Sequence, residues 1–157
     1  MEIFVDGDAM PRDALAAIAA YANDADMKVS VIHSINHELT LQESIENITV
    51  DAHAQSADME IFRRIDKSIP TIVVTQDYGL ANLSLGQGAA VVSPAGMEYT
   101  EDNIQRLLFE RTLHAEERKR TGRNKGPKPR TKSQKHEFQQ VLAAVVQRLR
   151  QASESKL

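Results

Sequence analysis

Short β-rich runs alternate with helical spacings through the first 95 residues. That is the pattern a parallel sheet with crossover helices leaves in a sequence. Glu2-Ile3-Phe4-Val5 predicts a short buried strand ending at Asp6. Pro11 opens a helix as a first-turn residue, with Leu15, Ile18, Ala19 and Ala22 on its inner face. Lys28 to His33 and Asn47 to Val50 read as the second and third strands, and Asn36 to Ile45 between them as loop with one helical turn. Ser56 to Asp66 reads as a helix capped by Ser56, with Met59, Ile61, Phe62 and Ile65 turned inward. Thr71-Ile72-Val73-Val74, β-branched and launched by Pro70, predicts a fourth strand. A short helix from Tyr78 to Leu85, a turn at Gly86 to Gly88 and a fifth strand from Ala89 to Val92 complete the alternation.

Beyond Gly96 the pattern changes. Thr100-Glu101-Asp102-Asn103 starts a helix with its acidic groups on the positive end of the dipole. Ile104, Leu107, Leu108 and Leu113 keep helical spacing until charges take over at Glu116, and Thr121 to Thr131 reads as a basic loop. A last helix carries Phe138, Val141, Leu142, Val145 and Leu149 along one side, which either packs back on the body or makes a homodimer contact. The expected fold is α/β: a doubly wound parallel sheet of about five strands in the order 3-2-1-4-5. At 157 residues the chain fits one domain, with a basic helix-loop-helix extension at about 111–151.

Composition narrows the chemistry. No cysteine is present, which excludes disulfides, thiolate metal sites and thiol nucleophiles. The longest apolar run, Val141 to Val146, is too short to cross a bilayer, and Glu2, Asp6 and Asp8 are unlike a signal peptide, so the expectation is a cytoplasmic protein with no membrane partner. The net charge of −3 conceals a division. Residues 1–110 hold 18 acidic and 6 basic side chains, whereas residues 111–157 hold 4 acidic and 13 basic ones.

In an open parallel sheet, ligands sit outside the carboxyl ends of the strands, where the strand order reverses. Here the first strand ends in Asp6-Gly7-Asp8 and the fourth in Thr75-Gln76-Asp77. If the two are neighbours, Asp6, Asp8 and Asp77 converge, and Asp58 approaches the same rim from the helix after the third strand. Two carboxylates about 5 Å apart repel by roughly 3 kcal/mol at an effective dielectric near 20. A divalent cation relieves that repulsion, and an all-carboxylate set favours Mg²⁺ or Mn²⁺ over zinc. Such an ion polarises a phosphodiester and lowers the pKa of an attacking water. Thr75 is a candidate to orient a ligand or water. Asp51 and Asp66 read as loop residues, and His33, His37, His53, His114 and His136, with no ligand spacing, as surface or boundary residues.

These residues resemble a known family. Val5-Asp6-Gly7-Asp8-Ala9-Met10-Pro11, Ala57-Asp58, Val74-Thr75-Gln76-Asp77-Tyr78-Gly79-Leu80-Ala81, Ser93-Pro94-Ala95-Gly96 and Lys125-Gly126-Pro127-Lys128-Pro129 look like the bacterial YaiI/YqxD family, related to the PIN-like superfamily. The motifs run in order along nearly the whole chain. The resemblance implies a parallel α/β sheet and Mg²⁺- or Mn²⁺-dependent ribonuclease chemistry at Asp6, Asp8, Asp58 and Asp77. Three positions depart from the family pattern. Met10 stands where a cysteine is common, which tells against a thiol role, and Gln55 and Met59 replace acidic residues often found around Asp58, which tells against a second metal.

The basic segment from Arg111 to Lys135 complements this picture. Arg120, Arg123, Lys125, Lys128 and Arg130 are candidate phosphate contacts, which position a nucleic acid without reading its sequence. Tyr78 and Tyr99 are candidates for base stacking, and Lys125 or Arg130 for reaching a bound phosphate. The expected partner is nucleic acid, RNA ahead of DNA. Two alternatives stand beside a nuclease. One is a non-catalytic nucleic-acid-binding or adaptor protein. The other is a haloacid-dehalogenase-like phosphatase using the Asp-x-Asp pair, although no basic residue flanks Asp77 to complete that scheme.

Overall fold

The computed structural model describes residues 1–34, 41–52, 56–123 and 129–156. Among the described residues, six strands form one sheet in the order β3-β2-β1-β4-β5-β6. They are β1 (Glu2–Asp6), β2 (Lys28–Ser34), β3 (Ile45–Val50), β4 (Thr71–Val74), β5 (Ala90–Val92) and β6 (Glu98–Tyr99). The first five are parallel in the expected order. The sixth corrects the expected count of about five. Gly96, at φ +94°, turns the chain back after β5, and the two residues of β6 pair antiparallel with Val91 and Val92. A two-residue strand is too short to show a period of its own.

Among the described residues, five α-helices cover the sheet: α1 (Arg12–Ala19), α2 (Ser56–Arg64), α3 (Tyr78–Gly86), α4 (Glu101–Thr121) and α5 (Lys132–Glu154). Strand alternation sorts the apolar side chains into two cores. Ile3, Val5, Val29, Val31, Ile72, Val74 and Val92 face one side, against Ala14 and Ile18 of α1 and Phe138, Leu142, Val145 and Val146 of α5. Phe4, Ile32, Val73 and Val91 face the other, against Ala57 and Ile61 of α2, Leu80 and Ala81 of α3, and Ile104 of α4. The apolar side of the last helix is therefore part of the core.

Several boundaries shift for physical reasons. Pro11 is the residue before α1, and the chain continues past Ala19 as a 3-10 turn from Ala20 to Asn23. The third strand starts at Ile45, two residues before the expected Asn47, because its register pairs Ile45 with Val29. α4 continues through the charged stretch after Glu116. It runs to Thr121 and ends on Gly122 at φ +66°, because Glu, Arg and Lys are good helix formers even where nothing packs on them. Thr100 and Thr131 both form capping boxes, with Asn103 and Gln134 respectively. Residues 36–40 of the expected loop, His37, His53 and Gln55, and 124–128 of the basic loop with Lys125 and Lys128 lie outside the described residues.

α5 is fastened to the body at both ends. Arg130, just before it, donates from Nε to Asp13 at 3.0 Å and from a terminal nitrogen to the Pro94 carbonyl. Near its C-terminus Arg148 pairs with Glu98, and Arg150 with Asp24 and Asp26. Between them the helix lies against Gly96, where an added Cβ would meet Glu137 Cβ at 2.6 Å and Phe138 N at 2.9 Å. Gly96→Ala combines that overlap with a left-handed backbone, and is expected to cost about 2–4 kcal/mol in urea unfolding. Gly88, also at positive φ (+83°) but with open space around its Cβ position, supplies the control. Gly88→Ala is expected to cost about 1 kcal/mol, the backbone contribution alone.

Candidate acidic active site at the sheet's carboxyl rim

β1 is paired with β2 on one side and β4 on the other, with Val5 opposite both Val31 and Val74. The chain therefore reverses its direction of strand addition at β1, and the crevice outside β1 and β4 is where this topology places a ligand. Asp6 closes β1 and Thr75 follows the last residue of β4. The register brings them side by side: the Thr75 hydroxyl donates to Asp6 Oδ2 at 3.0 Å and accepts from Asp77 N at 3.0 Å. Thr75 is fully buried, and its backbone N–H donates to the Val92 carbonyl. One hydroxyl thus ties the end of β1 to the start of α3.

Asp77 is the N-cap of α3, its Oδ1 accepting from Leu80 N at 3.0 Å. Asp8 sits in a 3-10 turn, Gly7–Ala9, and its Oδ1 accepts from Ser34 N at the end of β2 at 2.6 Å. Gly7 makes that turn possible. A Cβ there would meet Val31 Cγ1 at 2.9 Å and the Ile32 carbonyl oxygen at 3.1 Å. The glycine between the two aspartates is a packing requirement of β1 against β2.

Asp58 reaches the rim from the first turn of α2. Its carboxyl is pushed up to about 7, chiefly by burial, then by the negative charges of Asp77 and Asp6, a hydrogen bond with Asp77 and the charge of Asp8. Asp6 is also raised. Burial is the largest cause, the Thr75 hydroxyl opposes it, and Asp8 and Asp77 add to it. The four carboxylates expected to converge do share one electrostatic neighbourhood.

The donor chemistry, oxygen only, suits Mg²⁺ or Mn²⁺. The geometry is not yet that of a ligand set, because among the described residues no three acidic or histidine side chains stand close enough to hold an ion. Asp8 is directed at Ser34 N, while Asp58 is hydrogen-bonded to Asp77. Protonation of Asp58 does in this arrangement what a cation does more completely: it removes one negative charge.

Other expectations divide. Tyr78 stands at the start of α3, half-buried, edge-on to Tyr99 with ring centroids 5.8 Å apart. Tyr99 is 2% exposed, so it is core and does not stack on bases. Arg120 and Arg123 are exposed, Arg120 within α4 and Arg123 two residues past it. Arg130 is engaged with Asp13 and the Pro94 carbonyl, with one guanidinium nitrogen buried and, among the described residues, unpartnered. His33 is fully buried, against the expectation of a surface or boundary residue. Its Nδ1 lies 3.0 Å from the Ser34 carbonyl, which only an N–H can satisfy, and its Nε2 contacts Asn47. Ser34, through the backbone N–H that holds Asp8, is a site component that no side-chain pattern signals.

A parallel α/β protein with clustered carboxylates outside its central strands is the class that fold and rim define. The chain belongs to the family described as "Uncharacterized BCR, YaiI/YqxD family", whose pattern matches residues 4–148. It is 39% identical over 158 residues to a UPF0178 protein of Alkaliphilus metalliredigens, covering 99% of each chain. A UPF0178 protein of Bacillus cereus strain B4264 is 38% identical over 149 residues, covering 93% of this chain and 99% of that one. Among solved structures, a mutant of Rae1 (YacP) from Bacillus subtilis is similar at 22% identity and a TM-score of 0.45, over 77% of this chain and 84% of that one. No helix among the described residues is long and apolar enough to cross a membrane.

The raised Asp58 makes the metal-free protein pH-sensitive. A carboxyl whose folded pKa exceeds its unfolded value favours the native state fully below the unfolded pKa, near 4. That stability is lost as pH rises through the folded value, about 7. Urea unfolding in EDTA is expected to show stability falling between about pH 4 and pH 7, by about 1–2 kcal/mol once solvent screening of this half-buried group is included. Asp58→Asn should flatten that slope. Thr75→Val removes the donor to Asp6 and should raise the Asp6 pKa further, measured by carboxyl ¹³C NMR titration, whereas Thr75→Ser retains it.

Proposed function

We propose that this protein is a Mg²⁺- or Mn²⁺-dependent phosphodiesterase acting on RNA, with Asp6, Asp8 and Asp77 as metal ligands and Asp58 completing the set or acting on water. The observation that carries this reading is the gathering of four carboxylates at the strand-order reversal, where burial first and then the charges of Asp77, Asp6 and Asp8 raise Asp58 to about 7. With a cation offsetting the neighbouring charges, Asp58 would be ionised and suited to accept a proton from water. A bound Mg²⁺ or Mn²⁺ supplies Lewis acidity toward a phosphodiester and lowers the pKa of a coordinated water.

The chain's own groups have distinct tasks in this scheme. The Thr75 hydroxyl holds Asp6 at the end of β1, and the α3 N-terminus fixes Asp77. Asp8, whose Oδ1 accepts from Ser34 N, would turn from that bond to help hold the cation. Exposed Arg120 and Arg123, with Lys125 and Lys128 of the same basic segment, supply sequence-independent phosphate contacts. Arg130, fastened to Asp13, anchors that segment at its far end. The second reading is a nucleic-acid-binding protein without turnover. It is favoured by the same bond between Asp8 and Ser34 N, which leaves no three-carboxylate ligand set formed among the described residues.

Thermal melting separates a metal site from none. An ion at 100 times its Kd adds about 2.7 kcal/mol, expected to raise Tm by roughly 5–10 °C for a domain of this size. Asp6→Asn and Asp77→Asn should abolish the shift together with Mn²⁺-dependent cleavage of single-stranded RNA. The α3 cap survives the Asp77→Asn substitution, because an asparagine amide oxygen still accepts from Leu80 N. Absence of any shift at millimolar Mn²⁺ and Mg²⁺ would overturn the metal assignment. A shift with salt-dependent RNA binding but no cleavage would favour the second reading.

A further inference from the structure

α4 is 21 residues long, yet it is held to the body mainly by its first two turns. Ile104 is buried, and Leu107 and Leu108 are half-buried against the core beneath α2 and α3. On the opposite side of the helix, Phe109 is 63% and Leu113 47% exposed, the two largest apolar groups that α4 leaves to solvent. They belong to a longer stripe. Asp102, Arg106, Phe109, Leu113, Glu116 and Arg120 recur at spacings of four and three, the seam of a two-helix coil.

Reversed on itself, this stripe is complementary. In an antiparallel pair with its two-fold axis at position 111, Phe109 faces Leu113, Arg106 faces Glu116 and Asp102 faces Arg120. Both charged pairings are of opposite sign, and each occurs twice by symmetry. Every facing pair joins the two kinds of seam position, as antiparallel coils require. Among the described residues, none of Asp102, Arg106, Glu116 or Arg120 has an ion-pair partner within its own chain. Antiparallel packing also sets the acidic start of one α4 beside the basic end of the other.

We propose that the outward face of α4 is an isologous docking surface for a second copy of this chain, paired antiparallel through Phe109 and Leu113. The interface is α4 and not α5, whose apolar side is buried in the core. A single helix pair falls below the roughly 800 Å² per partner of a standard interface, so the dimer is reversible and concentration-dependent. The surface stands whether or not the acidic rim binds metal, but in the dimer Arg120 pairs with Asp102 of the second copy, which leaves the phosphate contacts to Arg123 and the residues after it.

Sedimentation velocity of the full chain from about 1 to several hundred micromolar tests this directly. A rising weight-average mass approaching twice 17.5 kDa is expected, and a monomer throughout overturns the proposal. Phe109→Asp and Leu113→Asp, both at exposed positions, should each abolish the dimer with the melting of the monomer unchanged. Arg106→Glu should weaken dimerisation at least tenfold, and Arg106→Glu with Glu116→Arg in one chain should restore it. Rescue by the swap is particular to the antiparallel register. Dimerisation that survives Phe109→Asp, or a swap that fails to rescue, overturns it. The lack of native cysteine allows a last check: chains carrying Arg106→Cys and Glu116→Cys should cross-link on mixing, and neither alone.

Discussion

Because Val5 is paired with Val31 and Val74 at once, Asp6 and Thr75 leave the sheet as neighbours, and the rest of the rim is arranged around them. The Thr75 hydroxyl gives its proton to Asp6 and a lone pair to Asp77 N, so the end of one strand and the cap of the next helix share a single atom. Gly7 lets β1 approach β2 closely enough for Ser34 N to reach Asp8. A slip of one residue in either pairing would turn Asp6 to the opposite face and break both contacts. Strand register, a matter of backbone hydrogen bonds and buried valines, thus decides the electrostatics of the site.

That electrostatic arrangement is unfavourable to the fold that holds it. Burial and mutual repulsion disfavour the ionised forms of Asp58 and Asp6, and only the Thr75 bond among the side-chain contacts at Asp6 opposes this. Buried charge without a partner is costly, and proteins keep it where it serves a site. Here the cost is distributed: a proton on Asp58, a helix cap at Asp77, a backbone amide at Asp8. Each is a substitute for positive charge, and each is weaker than a divalent ion.

Most of the sheet was legible because its signals are local. Thr71 to Val74 is β-branched without interruption, and aspartates at two strand ends need only the strand order to become one cluster. The order is set by the handedness and shortness of crossover connections, so it too follows from the alternation of elements. What the sequence did not disclose depends on distant partners. Arg130 meets Asp13 across 117 positions, and His33 is buried by packing that its own segment does not reveal. Tyr99 looked available beside the site because β6, two residues long, leaves no periodic trace.

α5 covers the part of one sheet face that α1 leaves open, and its side chains Phe138, Leu142, Val145 and Val146 complete the core begun by Ile3 and Val5. During synthesis every strand of that face leaves the ribosome before the helix that shields it. At about 5–20 residues per second, the more than forty residues from Val92 to Phe138 take several seconds. Through that interval the valine-rich surface is open to chaperones or to other nascent chains. Completion of this fold is therefore a late event tied to the C-terminal segment, whereas the opposite core can close on α2, α3 and the start of α4 well before.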